Sequence, residues 1–327
     1  MTPPTLRPLR QDDLDRVSEI ESRIAGHPRR GFLEKRFAVA AATPDGFLTC
    51  AALEGESLLG YGFARLREGE FGASGVVADL DVIGVDPDAQ GRGIGRAVLS
   101  DIERQMKRKG LAALRTQIDW TDHGMIRFFS SAGFRLAPGR IIERDTSPLR
   151  EDVAEVTPVV LDGKRRVHSG AGGNDYEMLA RDRVPVRSLM EEDLAAVVRI
   201  DGKLTGRDRS AYYRAKFREM LVESGIRVSM VSEKDGIVTG FVMARVDFGE
   251  FGKVDKAAVI DTVGVHPDYG RSGIGHALLS QLLLNLSSLQ VECVRVQVSH
   301  EDFSLQRFLH ACGFVPSQRL VLSKTVG

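Results

Sequence analysis

The sequence predicts two α/β (α+β) domains in tandem, and three observations carry that expectation. The first is length, since 327 residues suit two domains of roughly 150 each. The second is an internal repeat. Val82-Ile83-Gly84-Val85-Asp86-Pro87-Asp88-Ala89-Gln90-Gly91-Arg92-Gly93-Ile94-Gly95 returns as Thr262-Val263-Gly264-Val265-His266-Pro267-Asp268-Tyr269-Gly270-Arg271-Ser272-Gly273-Ile274-Gly275, 180 residues later. The third is the order within each copy: an apolar strand, a turn marked by Pro, a glycine-rich loop, then the start of an apolar helix. The expected layout is a first domain over 1–145, a connecting segment over 146–184 with added strands, and a second domain over 185–327.

The repeat reaches beyond the loop. Arg7, Asp13, Val17 and Ile20 recur as Arg187, Asp193, Val197 and Ile200. Gly60 and Arg65 recur as Gly240 and Arg245, and Asp81 as Asp261. Gly69-Glu70-Phe71-Gly72 returns as Gly249-Glu250-Phe251-Gly252, and Gly133-Phe134 as Gly313-Phe314. Ungapped matching over roughly 130 residues is domain duplication, not a solenoid of units of about 20–50 residues.

Elements follow in order. A strand over 6–9 precedes a helix capped by Asp12 or Asp13, with Leu14, Val17 and Ile20 on one face. The turn Gly26-His27-Pro28 leads to a helix near 32–37. Strands follow over 47–53, 58–67 and 76–85. The glycine loop opens a helix from Gly93 to about Arg108, with Ala97, Val98, Ile102 and Met106 at apolar spacing, and Gly110 stops it. A strand over 114–118, a short helix capped by Asp122, and closing strands complete the half, and the second half repeats the series from Val186. In the connecting segment, 156–161 and 176–180 read as strands around the glycine run 169–173. One is expected to close the first sheet and the other to complete the second; the plain alternative is a loose linker.

Composition narrows the class. Apolar residues make up 43% and charged residues 28% of the chain, an ordinary globular balance. Forty-five basic and 45 acidic side chains leave no net charge, hence no overall field to recruit nucleic acid or an anionic membrane. Cys50, Cys293 and Cys312 have neither metal-ligand spacing nor an even count, so no metal is expected. No apolar run reaches the roughly 18 residues of a membrane span, and the start lacks a secretory core, so a cytoplasmic location is expected.

The loop has a chemical reading. Gly93 and Gly95 let backbone approach an anion closely, and the following helix adds its dipole. Arg92 or Arg96 would add charge pairing. Position 96 is Arg, so Gly91-x-Gly93-x-Gly95 is not the dinucleotide fingerprint Gly-x-Gly-x-x-Gly, and no Gly-Lys-Ser/Thr follows to make a P-loop.

The strand, the (Gln/Arg)-x-x-Gly-x-(Gly/Ala) loop and the helix together resemble the GNAT superfamily of acyl-CoA-dependent N-acyltransferases, twice over. The two-helix start, the central hairpin and the late helix before Gly133-Phe134 fit the same order. The resemblance implies, for each half, a mixed, mostly antiparallel twisted sheet flanked by helices, with acetyl-CoA as acyl-donor cosubstrate. It assigns the pyrophosphate to Gln90, Gly91, Arg92, Gly93, Ile94, Gly95 and Arg96. In the second half the match is Arg271, Ser272, Gly273, Ile274, Gly275 and His276, where Gly270 replaces Gln90. It assigns the pantetheine and thioester to the backbone of Ile83, Gly84 and Val85, and of Val263, Gly264 and Val265. Asp122 and Asp302 stand where the family often has Asn near the cofactor, and each is also a good helix N-cap.

Asp81 and Asp261 occupy the family's frequent acidic position and are the catalytic candidates. Strand alternation places Asp79, Asp81 and Ile83 on one face. An alkyl amine has a pKa of about 10.4 and an ordinary Asp about 3.9, a mismatch on the order of 9 kcal/mol for direct proton removal. Asp81 would therefore act through water, through burial, or by binding the ammonium. The plain alternative is a structural carboxylate paired with an Arg such as Arg65. The family's usual Tyr acid is replaced by Phe129 and Leu309, a departure in both halves.

Two functions follow from different classes. One is an enzyme that moves an acetyl group to a primary amine, with the first domain favoured as catalytic. The acceptor would be a small amine, an amino acid or a protein amino group; Asp79, Asp81 and Glu21 favour a cationic one. The other is an acyl-CoA-binding regulatory module with little or no turnover. A division of labour between the halves is a third possibility. No nucleic acid or membrane partner is expected, and the chain would be a monomer imitating a dimer, or a homodimer.

Overall fold

A computed structural model describes residues 3–68, 75–149, 184–218, 226–248 and 256–327. The expected strands at 156–161 and 176–180, the glycine run between them, and both Gly-Glu-Phe-Gly turns with Phe71 and Phe251 lie outside the described residues.

The first half runs β1 (Thr5–Arg7), α1 (Leu14–Ala25), α2 (Arg30–Ala42), β2 (Phe47–Glu54), β3 (Ser57–Glu68), β4 (Val76–Val85), α3 (Ile94–Arg108), β5 (Ala113–Asp119), α4 (His123–Ser131), β6 (Arg135–Leu136) and β7 (Gly139–Asp145). The second runs β8 (Val186–Ser188), α5 (Leu194–Thr205), α6 (Ser210–Arg218), β9 (Met230–Lys234), β10 (Ile237–Phe248), β11 (Lys256–Val265), α7 (Ile274–Ser288), β12 (Cys293–Ser299), α8 (Phe303–Ala311), β13 (Val315–Pro316) and β14 (Arg319–Thr325).

Both halves begin with the same ion pair. Arg7 holds Asp13 through two bonds of 2.7 and 2.8 Å, and Arg187 holds Asp193 at the same two distances. Asp13 also accepts the Arg10 N–H at 2.7 Å, as Asp193 accepts that of Met190 at 2.8 Å. The chain is thereby folded back into the helix that follows.

Each sheet has seven strands. The first is ordered β1-β2-β3-β4-β5-β14-β6, with β4 and β5 parallel and the other neighbours antiparallel. The second is ordered β13-β7-β12-β11-β10-β9-β8, with β11 and β12 parallel. The mixed, mostly antiparallel sheet flanked by helices is the expected architecture.

The closing strands differ from expectation. The first sheet takes β14, whose seven residues pair antiparallel with β5 from Arg319↔Asp119 to Thr325↔Ala113. The second takes β7, expected to close the first domain, next to β12. By compact packing, the first unit is 1–141 with 248–255 and 316–327, and the second is 142–247 with 256–315. Ile141, Ile142, Val321 and Leu322 are all buried, and β7 and β14 occupy the same repeat position. Either strand therefore presents the apolar residues that either sheet needs.

Two layers of core sandwich the first sheet. On one face Val98, Leu99, Ile102 and Met106 of α3 pack on Leu48, Leu80, Leu114 and Phe129. On the other, Val17 and Ile20 of α1 and Leu33 and Phe37 of α2 pack on Tyr61, Phe63 and Val82. In the second unit Val197, Ile200, Tyr213 and Phe217 meet Val231, Phe241 and Met243.

A β-bulge interrupts β4. Val82 faces Phe63 and Leu80 faces Ala64, which leaves Asp81 as the extra residue. The expected alternation of Asp79, Asp81 and Ile83 on one face is corrected accordingly. Ile83 joins Leu80 in the core against α3, whereas Asp81 and Val82, consecutive residues, both face α1 and α2. A bulge turns two neighbours to one side and sharpens the local twist.

Candidate active site

After Asp79 the parallel strands part. Ala78↔Leu114 and Asp79↔Arg115 are the paired residues of β4 and β5, and Thr116 Oγ1 donates to Leu80 O at 3.1 Å where they separate. Asp86 N–H donates across β3 to Leu59 O at 2.8 Å. Strand alternation then turns the N–H and C=O of Ile83 and Val85 toward the opening. The second unit repeats this: β11–β12 pairing ends at Ile260↔Val296, and His266 N–H donates to Thr239 O at 2.9 Å.

The glycine loop crosses from the end of this strand to α3. Gly91 and Gly93 have φ of 75° and 80°, a left-handed conformation that side chains disfavour. Gly93 is the N-cap of α3 and has no side chain to satisfy the first-turn N–H groups. By contrast α4 is capped by Asp122, which accepts the Met125 N–H at 2.9 Å. Asp302 likewise accepts from Leu305 at 3.0 Å. The uncapped donors of α3 are thus open to an anion, with the helix dipole in support. A Cβ on Gly95 would lie 3.3 Å from the Phe128 ring, so the first turn of α3 lies close to α4.

The loop arginines are engaged within the unit. Arg92 pairs with Glu54 at 2.7 Å, and Arg96 donates to Ser131 Oγ at 3.0 Å. In the second unit Arg271 stands in the left-handed region at φ 62°, where the first unit has Gly91. There a cavity of about 440 Å³ opens beside the loop, lined by Val265, Arg271, Gly273, Gly275, His276 and Phe308 among others.

The carboxylate candidates are buried and paired. Asp81 lies 3.2 Å from Arg36 of α2. Asp261 lies 3.0 Å from Lys216, the α6 counterpart of Arg36, and also pairs closely with Arg245, the counterpart of Arg65. An Arg partner was foreseen, and in the first unit Arg36 of α2 is one. Asp79 and Glu21 also have arginines, Arg67 at 3.1 Å and Arg29. The three acids offered as a cationic-acceptor signal are therefore each matched by a positive charge.

Residues that sequence reasoning left out complete the region: Arg36, Arg29, Tyr61 and, in the second unit, Arg209 and Tyr213. Arg36 and Lys216 hold the same repeat position as a conserved charge within one chain, a signal available from self-comparison. Asp86 is tied to α1 by both Arg16 and Arg23. Burial alone would raise its pKa, but the Asp88 N–H, Arg23 and Arg16 hold it below the usual carboxylate range. Among the described residues, no group of three His, Cys, Asp or Glu side chains is placed to hold a metal, and no helix is long and apolar enough to cross a membrane.

Comparison with known proteins agrees with this fold. The model of the acetyltransferase (GNAT) family matches twice, over residues 13–134 and 194–314. A mycothiol acetyltransferase of Nocardioides sp. is 29% identical over 145 residues, 40% of this chain and 49% of that one. One of Propionibacterium freudenreichii subsp. shermanii is 26% identical over 147 residues, 43% of this chain and 46% of that one. The chain thus spans less than half the length of these curated relatives. In fold it is similar to a tandem GNAT protein from the clavulanic acid biosynthesis pathway, with TM-score 0.65, 16% identity and 99% of both chains covered. It is also similar to a GCN5-related N-acetyltransferase from Sphaerobacter thermophilus, with TM-score 0.61 and 13% identity over 99% of this chain and 96% of that one. The chain belongs to the acetyltransferase (GNAT) family, an acyltransferase family, and carries one family domain in each half.

Proposed function

We propose that the chain transfers an acetyl group from acetyl-CoA to a primary amine, with turnover in the first unit. The amine nitrogen attacks the thioester carbonyl, a C–N bond forms and the C–S bond breaks. The amine loses a proton and the departing thiolate gains one. The observation that carries this reading is the parting of β4 from β5 at the uncapped start of α3. Ile83 and Val85 would line the pantetheine with backbone groups, and an N–H there would steady the carbonyl oxygen. Gln90, Gly91, Gly93, Ile94 and Gly95 would hold the pyrophosphate, with Arg92 and Arg96 beside it. A thiol of pKa about 8.5 leaves without a strong acid, so Phe129 does not forbid turnover. Asp81, ion-paired with Arg36, would act by orienting charge on the acceptor side rather than as a direct base.

In the second unit the cavity beside Arg271 and His276 favours donor binding as well. Gly270 in place of Gln90 favours a supporting or regulatory part for that half, where Asp261 is held by Lys216 and Arg245. The acceptor class is an amine, and the acceptor of the mycothiol acetyltransferases belongs in the first panel tested, with glucosamine, lysine, spermidine and tyramine.

Gly93→Asp and Gly273→Asp test both sites. Asp tolerates a left-handed φ, caps the helix and brings negative charge to the anion position. Calorimetry with acetyl-CoA should give two sites in the natural protein and one in each variant. CoA release with the amine panel should be lost in Gly93→Asp alone. Turnover that survives Gly93→Asp and vanishes in Gly273→Asp would move catalysis to the second unit.

A further inference from the structure

The sheet face that carries α1 and α2 holds a buried polar group that the glycine loop does not explain. Tyr61, on β3, is wholly buried. Its hydroxyl donates to Glu21 Oε2 on α1, and Glu21 Oε1 accepts from Arg29 Nη1. The phenol tip lies against Gly84. A Cβ there would stand 2.6 Å from Tyr61 Cε1 and 2.7 Å from both Cζ and Oη. Position 84 is glycine because Tyr61 fills the side chain's place. Burial, and then the charge of Glu21, push the phenol well above its usual range, so it keeps its proton.

The second unit solves the same packing problem without a hydroxyl at that place. Phe241 replaces Tyr61, and a Cβ on Gly264 would stand 2.7 Å from its Cε1 and 2.9 Å from Leu204 Cδ1. The carboxylate is reached from another element instead. Tyr213, on α6 at the position of Leu33, donates to Asp201 Oδ1 at 2.8 Å, and Arg209 donates to the same oxygen at 2.7 Å. Both units keep a buried hydroxyl–carboxylate–arginine group, which suffices to tie α1 or α5 to its surroundings. The first alone sets the hydroxyl against the glycine of the open strand edge.

α3 and the glycine loop lie on the opposite face of the sheet. A donor anchored there enters the opening from that side, which leaves the α1/α2 side for the acceptor. Gly84 sits between Ile83 and Val85, whose backbone groups face the opening. We propose that Tyr61 is a positioning residue for acyl transfer in the first unit: held by Glu21 and Arg29, it fixes Gly84 and with it the edge that carries the thioester. This rests on the first-unit reading above.

Tyr61→Phe in the full chain removes only the oxygen. CoA release from acetyl-CoA should fall at least about tenfold in kcat with the best amine of the panel, since small displacements of reacting groups are costly. KM for acetyl-CoA should stay unchanged. The double variant Leu33→Tyr/Tyr61→Phe copies the second unit's arrangement. It should regain thermal stability lost by Tyr61→Phe while kcat stays low. Unchanged kcat in Tyr61→Phe, or recovery of kcat together with stability in the double variant, would overturn the proposal. Gly93→Asp runs alongside. If turnover survives it, the first-unit reading fails and the proposal with it. If turnover is lost there but indifferent to Tyr61→Phe, only the proposal fails.

Discussion

The carboxylate of Asp81 lies 3.2 Å from the guanidinium of Arg36, and 180 positions later Asp261 lies 3.0 Å from the ammonium of Lys216. In each unit the acid sits on the strand beside the opening and the base on the second helix. All four side chains are at least nine-tenths buried. Charges taken out of water need one another, and removing one partner of such a pair costs about 3–5 kcal/mol. Asp81→Leu should destabilise the first unit by roughly that amount in urea unfolding, whereas Arg36→Met/Asp81→Leu should recover most of the loss. A double variant as unstable as the single would show that the pair is not the unit that matters.

Arg271 holds a backbone conformation that costs a non-glycine residue about 1–2 kcal/mol. Arg271→Gly should therefore raise the melting temperature of the second unit. It should also weaken acetyl-CoA binding at that unit, read as the weaker of two sites by calorimetry. Stabilisation without any change in binding would mean that the guanidinium has no part in holding the donor.

Asp13, Asp86 and Asp193 share a direction of titration. Burial opposes ionisation in all three. For Asp13 and Asp193 the bond from Arg7 or Arg187, the N–H of Arg10 or Met190 and the guanidinium charge together outweigh it, and for Asp86 the Asp88 N–H and two arginines do. Their folded pKa values lie below the unfolded value of about 3.9. Their stabilising contribution is therefore complete above that value and is lost as pH falls through the lower folded values. Stability should decline with acidification in that range, and Asp13→Asn should flatten the slope. An unchanged slope in that variant would remove Asp13 from the account.

The sulfur of Cys50 is buried, and that burial followed by the nearby Asp101 pushes its thiol up to about 12. Cys50 should resist alkylation at pH 8 in the folded protein and react only on unfolding. Rapid labelling by mass spectrometry would show that the sheet around it opens readily.

Removing β14 should expose β5. Seven paired residues, together with the Lys324–Glu103 contact at 2.5 Å, are lost. Deletion of residues 317–327 should raise hydrogen exchange across Ala113–Asp119 first. Retained protection there would mean that another segment replaces the strand.

Much of this was readable from the chain compared with itself. The strand–loop–helix unit, the capped short helix and the duplicated Arg7 and Asp13 all follow from local pattern, because glycine conformation, capping and apolar period are set within a few residues. The bulge at Asp81 was not readable. It arises from the register between β3 and β4, and the Asp79–Ile83 stretch reads as an ordinary alternating strand. Tyr61 was hidden for a related reason, since its meaning lies in Gly84 across the sheet and Glu21 on a helix 40 residues away. The choice between β7 and β14 was invisible in principle. Gly139 and Arg319 begin strands at the same repeat position, and both strands carry apolar pairs, Ile141-Ile142 and Val321-Leu322.

That last feature bears on inheritance. A duplicated gene ordinarily leaves one copy free to decay, because the other folds without it. Here the final strand of the first sheet, Arg319–Thr325, follows the later copy, and the strand that closes the second sheet, Gly139–Asp145, ends the earlier one. A frameshift or an early stop in the later copy strips the earlier one of its closing strand. Loss of either copy would therefore cost the other its closing strand, whatever either one catalyses.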